Sequence, residues 1–234
     1  MLNIPRNWKR SMLMALGLIL VAGIGHTALP PTAPQCFEVD NGSGTVDLPP
    51  ANCQYMSPSA VHQVINGLPP GTTINLAPIH KNFICHSGGG SCATPGGTLG
   101  GDVETFNSNI VFQATGTGAL SGWSRLITIP LAVETHTAPR TPGSPVQSFK
   151  TDMHRIQGQI TGDPDFALLR IVGGTGNGFP SPGQTTLTRQ SNGTWLVDSS
   201  FTVNISLEFV GASGGVLEGR SGRTLQKVGM KAYQ

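Results

Sequence analysis

Charge, aromatic surface and long apolar runs are all scarce in this 234-residue chain, and each scarcity removes a class of function. Charged residues make up 11% of the sequence, with 14 bases against 12 acids. A protein that grips nucleic acid displaces counterions with a stripe of Lys and Arg. The sequence has no such stripe, so no nucleic-acid partner is expected. Aromatic residues reach only 6%, which leaves little material for the stacking platforms of sugar-binding surfaces. The longest apolar run, Met12 to Ile24 (MLMALGLILVAGI), holds about thirteen residues, against the ~20 that cross a bilayer. It follows Arg6, Lys9 and Arg10 and gives way to Leu29-Pro30-Pro31. Positive charge, a short apolar core and then small residues make a secretory signal, so residues 1–28 are expected to be removed on export. Those residues contain three of the 14 bases and no acid, so the mature chain carries 11 bases against 12 acids. No membrane span is expected after cleavage.

Close cysteine pairs of the C-x2-C type are also missing, which disfavours a zinc ribbon. The four cysteines, Cys36, Cys53, Cys85 and Cys92, are even in number and lie in an exported chain, so they read as two disulfides. Three pairings are possible. Cys36 with Cys53 and Cys85 with Cys92 are favoured because each closes a short loop bearing Gly or Pro.

What the sequence has in quantity is glycine and proline, 32 and 18 residues, which suit many turns between short strands. Disorder is excluded by the apolar residues, which recur periodically. Phe201, Val203, Ile205, Leu207 and Phe209 alternate with Thr202, Asn204, Ser206 and Glu208. That period of two belongs to a strand buried on one face. Asn192-Gly193 supplies a hairpin turn leading into it. About seven or eight such strands follow Asp102, and helices long enough for crossovers are lacking, so the expected fold is all-β: an antiparallel β-sandwich over residues 102–234. Residues 29–101 are expected to form a disulfide-closed segment with one short helix between Ser57 and Asn66. Pro130, inside an apolar run, argues for an edge strand or a bulge.

Several stretches carry a resemblance. GLPPGTTINLAPIH, GGDVETF, VETHTAPRTPGSPVQSFKTDM, HRIQGQITGDPDF and LTRQSNGTWLVDSSFTVNISLEFVGA are similar to segments of a group of exported bacterial proteins, some with surface-anchoring tails. The resemblance implies bacterial export and one β-rich unit, and it implies no catalytic residue.

The most chemically loaded constellation is Glu134 with His136 and Asp152 with His154, an acid and a histidine at i, i+2 on adjacent predicted strands. Facing one another, the two pairs could hold zinc or copper. Strand parity opposes this. Glu134 and His136 alternate with Leu131 and Val133 and are expected to point outward, whereas Asp152 and His154 share parity with Ile156 and are expected to point inward. Only a β-bulge between them would give a common face.

Other motifs carry less. Gly211-Ala212-Ser213-Gly214-Gly215 matches the G-x-S-x-G of a nucleophile elbow but lacks the helix that must follow it. The glycine run Gly173 to Gly178 has no Lys and reads as a surface loop. Asp163 and Asp165 flank Pro164 and read as a turn before a calcium site. For sugar binding, Trp123, Phe179 and Tyr55 are the expected loop aromatics, while Trp195 shares parity with Val197 and Phe201 and belongs to the core. The sequence therefore leads to an exported, non-catalytic module with no cofactor, serving a structural or partner-binding role toward a glycan or surface protein. The alternatives are a carbohydrate-binding module and a metal-dependent enzyme.

Overall fold

A computed structural model describes residues 34–58, 62–85 and 92–234. Residues 1–28, where a secretory signal is expected, lie outside the described residues. Among the described residues, twelve strands form one antiparallel sheet. In chain order they are β1 (Cys36–Glu38), β2 (Gln54–Met56), β3 (His62–Val64), β4 (Ile74–Cys85), β5 (Ala93–Pro95), β6 (Asp102–Gly116), β7 (Ser124–Thr137), β8 (Val146–Thr161), β9 (Phe166–Gly173), β10 (Pro182–Arg189), β11 (Trp195–Gly211) and β12 (Ser221–Tyr233). The fold is the expected all-β class with more strands than expected. Its two facing inner surfaces belong to a single sheet that closes on itself, because β4 pairs with β6 from Ile74↔Gly116 to Cys85↔Phe106.

Long strands β6, β7 and β8 form a meander. Next comes a slot shared by two strands. β10 fills it against Val146–Asp152 of β8 and Trp195–Phe201 of β11, and β9 fills it against Ile156–Thr161 and Ile205–Gly211. β12 follows β11, and the short β2 links β12 to β4 and completes the circuit. Closure leaves few open backbone edges, a common weakness of β proteins. Pro130 sits in β7 opposite Asn109 of β6, and the ladder to β8 begins one residue later at Leu131. Its missing N–H therefore falls where no ladder bond to β8 is due.

The alternation read in β11 extends over the whole strand, with Trp195, Val197, Ser199, Phe201, Val203, Ile205, Leu207 and Phe209 all buried. The interior is filled by these side chains together with Phe106, Ile110 and Phe112 of β6 and Ile127, Ile129, Leu131 and Val133 of β7. Both favoured disulfides are present, Cys36–Cys53 and Cys85–Cys92. The expected helix near Ser57–Asn66 is not formed. Its residues 59–61 lie outside the described residues, and His62–Val64 is a strand paired with Ile74–Leu76. Alternating burial of His62 and Val64 around exposed Gln63 gains more from the core than a single helical turn could.

Polar groups also enter the interior. Tyr55 donates its hydroxyl to Ser199 Oγ at 2.9 Å, and Ser199 shares a hydrogen bond with Thr185 at 2.8 Å. Glu104 is fully buried, and loss of solvation pushes its carboxyl up to about 8 from 4.5, outweighing the opposing pull of Arg140 3.7 Å away. Between those two values the folded state holds the proton and the unfolded chain does not, so stability falls as pH rises through this window.

Two expectations follow. Ile205→Asp places an unpaired charge on the inner face of β11, where Ile205 is 6% exposed, and should abolish cooperative thermal unfolding; a soluble, cooperatively unfolding variant would reverse the assigned faces. Glu104→Gln should raise stability at pH 8 by on the order of a few kcal/mol and flatten the decline between pH 5 and 8, as read by chemical denaturation.

Candidate functional site

The acid–histidine pairs identified in the sequence meet on the outer face of β7 and β8. What brings them together is a β-bulge. Glu134 pairs with Arg155 and Thr135 pairs with Met153, so His154 is an extra residue in β8. Its insertion reverses strand parity: Ile156 is buried on one side of it, and Met153 and Thr151 are buried on the other. Asp152 and His154 therefore share the outward face with Glu134 and His136, and the inward orientation read from parity with Ile156 is corrected. The bulge falls where β8 changes partner, between the last residue held by β10 (Asp152) and the first held by β9 (Ile156).

Two glycine-bearing loops cover the cluster. The turn before β6 brings Thr98 to His136, with Thr98 N at 3.2 Å and Oγ1 at 2.8 Å from Nδ1. A backbone N–H can only donate, so Nδ1 is the acceptor and the ring proton resides on Nε2, which donates to Glu134 Oε1 at 2.9 Å. The loop between β9 and β10 passes over His154. A Cβ on Gly176 would lie 2.6 Å from His154 Nε2, so any larger residue there would push the ring aside. From the same loop, Thr175 Oγ1 donates to Asp152 Oδ1 at 2.6 Å.

Within the cluster the two imidazoles lie face to face, centroids 4.0 Å apart and planes 19° apart. His154 Nε2 is 3.9 Å from Glu134 Oε1, and His154 Nδ1 is 3.7 Å from Asp152 Oδ2. Arg155 approaches the other oxygen of Glu134 at 3.6 Å. Asp152 Oδ2 and His154 Nδ1 are buried and make no hydrogen bond among the described residues. Glu134, Asp152 and Arg155 leave one negative charge beside two imidazoles.

A second feature was not anticipated. The outer face of β6–β9 forms a groove of about 780 Å³. Asn82, Asn107, Asn109, Gln157, Gln159 and Arg170 line it, over a floor that includes Pro130 and Ala132. Adjacent strands set Asn107, Ala132, Gln157 and Val172 in one row across the sheet. The signal in the sequence was Asn-Ser-Asn at 107–109 and Gln-Gly-Gln at 157–159, amides at i, i+2 on solvent-facing positions. Arg170 is paired with Glu208, so the groove is close to neutral. Between the inner faces, beside Tyr55, Phe201 and Met230, the described residues leave a cavity of only about 30 Å³, the room of one or two waters.

The three aromatics expected on loops do not gather. Tyr55 is 5% exposed and belongs to the core beside Phe83 and Phe201, because β2 completes the closed sheet. Trp123 is half-buried against Phe166 with its Nε1 donating to Asp165 Oδ2 at 3.0 Å, and Phe179 is half-buried in the loop that covers His154. Asp163 and Asp165 are engaged by Arg125 at 2.7 and 2.8 Å, which holds both carboxyls below the usual range against the opposing effect of burial. Ser213 donates to Glu218 at 3.1 Å in an exposed turn with no helix following. His62 and His80 bond to Ser57 and Ser108, and burial pushes His80 down to about 3. Comparison with protein-family models, with curated proteins and with solved structures gives no match.

Proposed function

We propose that this chain is an exported, non-catalytic module that binds an extended neutral glycan along the amide-lined groove. The observation that carries this reading is the groove itself. Asparagine and glutamine side chains offer a donor and an acceptor each, which matches the paired hydroxyls of a sugar ring. Their strands are fixed by ladders on both sides, so the backbone that carries the amides need not rearrange on binding. The Pro130, Ala132 and Val172 floor gives apolar surface for the C–H faces of the sugar. The two disulfides and the secretory signal read in residues 1–28 support an extracellular setting. A filled interior supports binding on the outside of the sheet, in contrast to barrels that enclose their ligand.

Pull-down with insoluble polysaccharides, followed by titration with soluble oligosaccharides of the bound class, tests the reading. Asn107→Ala with Gln157→Ala should weaken binding at least tenfold while leaving thermal stability nearly unchanged, because both side chains face solvent. Trp123→Ala should leave binding intact. Absence of binding to any polysaccharide, or binding abolished by Trp123→Ala and untouched by the groove substitutions, would overturn it.

A further inference from the structure

The groove makes no use of the histidine cluster, and the cluster has features that internal hydrogen bonding does not account for. Glu134, His136 and His154 each bring one ligand atom within 4.8 Å of the other two, and Glu134 Oε1 is 2.9 Å from His136 Nε2 and 3.9 Å from His154 Nε2. Asp152 is 8% exposed, yet its Oδ2 makes no hydrogen bond, and neither does His154 Nδ1 3.7 Å away. Buried polar atoms are almost always satisfied, and these two lie where a small turn of the His154 ring would let Nδ1 donate to Oδ2, which leaves Nε2 free as a ligand. From these observations we infer that Glu134, His136 and His154 bind one divalent transition-metal ion of the zinc class, with Asp152 as the residue that positions His154.

The donor set decides the class of ion. Two imidazoles and one carboxylate suit Zn²⁺ and Cu²⁺, whereas Ca²⁺ and Mg²⁺ prefer oxygen ligands alone. Ligand atoms around a tetrahedral ion with bonds near 2.0–2.1 Å sit roughly 3.3–3.5 Å apart. The separations from Glu134 Oε1, 2.9 Å to His136 and 3.9 Å to His154, bracket that spacing. A shared ion would draw the wider pair together and part the closer one.

Binding through Nε2 requires each imidazole to carry its proton on Nδ1. For His154 the acceptor is in place, the orphaned Asp152 Oδ2, and the result is a carboxylate–histidine–metal chain of the kind that fixes ring orientation and raises ligand basicity. Thr175 holds the other Asp152 oxygen, and Arg155 faces the Glu134 oxygen that the ion does not use. For His136 the proton moves from Nε2 to Nδ1, where Thr98 Oγ1 at 2.8 Å becomes its acceptor, and the Thr98 N–H, 3.2 Å from the same nitrogen, gives up its bond and draws away. His136 is held by Thr98, while His154 has neither ring nitrogen hydrogen-bonded, so His154 is the ring that turns about its Cβ–Cγ bond from the stacked arrangement until both lone pairs converge. Three protein ligands leave one coordination position open to water or to a group brought by a partner.

The test uses untagged, disulfide-intact protein freed of metal by chelation and titrated calorimetrically with Zn²⁺ at pH 7.5. One ion per chain is expected, with His154→Ala and His136→Ala each reducing affinity at least a hundredfold. Asp152→Asn should weaken binding by roughly ten- to a hundredfold at unchanged stoichiometry. Circular dichroism and unfolding of each variant without metal show whether it has folded. Imidazole NMR of the wild-type protein reads the site without any substitution, and Zn²⁺ should shift His136 and His154 while leaving His62 and His80 in place. No stoichiometric binding, binding retained by both alanine variants, or shifts confined to the other histidines would overturn the inference. Polysaccharide binding is measured on the same metal-free protein, so failure of either proposal is visible without the other.

Discussion

Closure of the backbone ladder between β4 and β6 is the constraint on which the rest of the molecule depends. Without it the sheet would have two long open edges and an apolar face shared with solvent. With it, every inward side chain from β6 round to β4 faces another strand, and the core becomes one continuous cluster. The price is that polar inward residues have no route to water. Tyr55, Thr185 and Ser199 satisfy one another, and His80 has Ser108, but Glu104 keeps one oxygen without a hydrogen bond and titrates far above an ordinary glutamate.

The circuit is also where the surface chemistry originates. One slot between β8 and β11 is filled in turn by β9 and β10, and the chain must leave the sheet between them. Its exit loop lands on β8 where neither strand holds it, and there β8 takes the extra residue His154. A single irregularity thus relocates two side chains from one face to the other and places two acids and two histidines under a glycine-bearing cover. A few residues along the same strands pairing is regular, and the outer face presents the even rows of amides that we propose hold a glycan.

Local reading went far for elements whose periodicity is set by one buried face. β11 was legible from Phe201 to Phe209 because each odd residue is apolar, and the Asn192-Gly193 turn fixed its start. Both disulfides followed from short loops. Tyr55 and His62 were misplaced for a shared reason: the three-residue strands β2 and β3 have no internal period, and their form comes from the partners that receive them. The groove amides were visible in the sequence only as polar positions of strands, since their assembly requires three neighbouring ladders in register.

The sequence by itself determined an all-β antiparallel chain, the strands with one apolar face and the identity of the acid–histidine pairs, and it favoured the local cysteine pairs that the structure forms. Tertiary structure alone decided that the sheet closes, that β9 and β10 share one slot, and that Glu134, His136, Asp152 and His154 lie on a common face. The physical reason is that side-chain parity along a strand is a local property only while pairing is regular. A bulge is imposed by the neighbouring strands, and one inserted residue reverses every assignment beyond it.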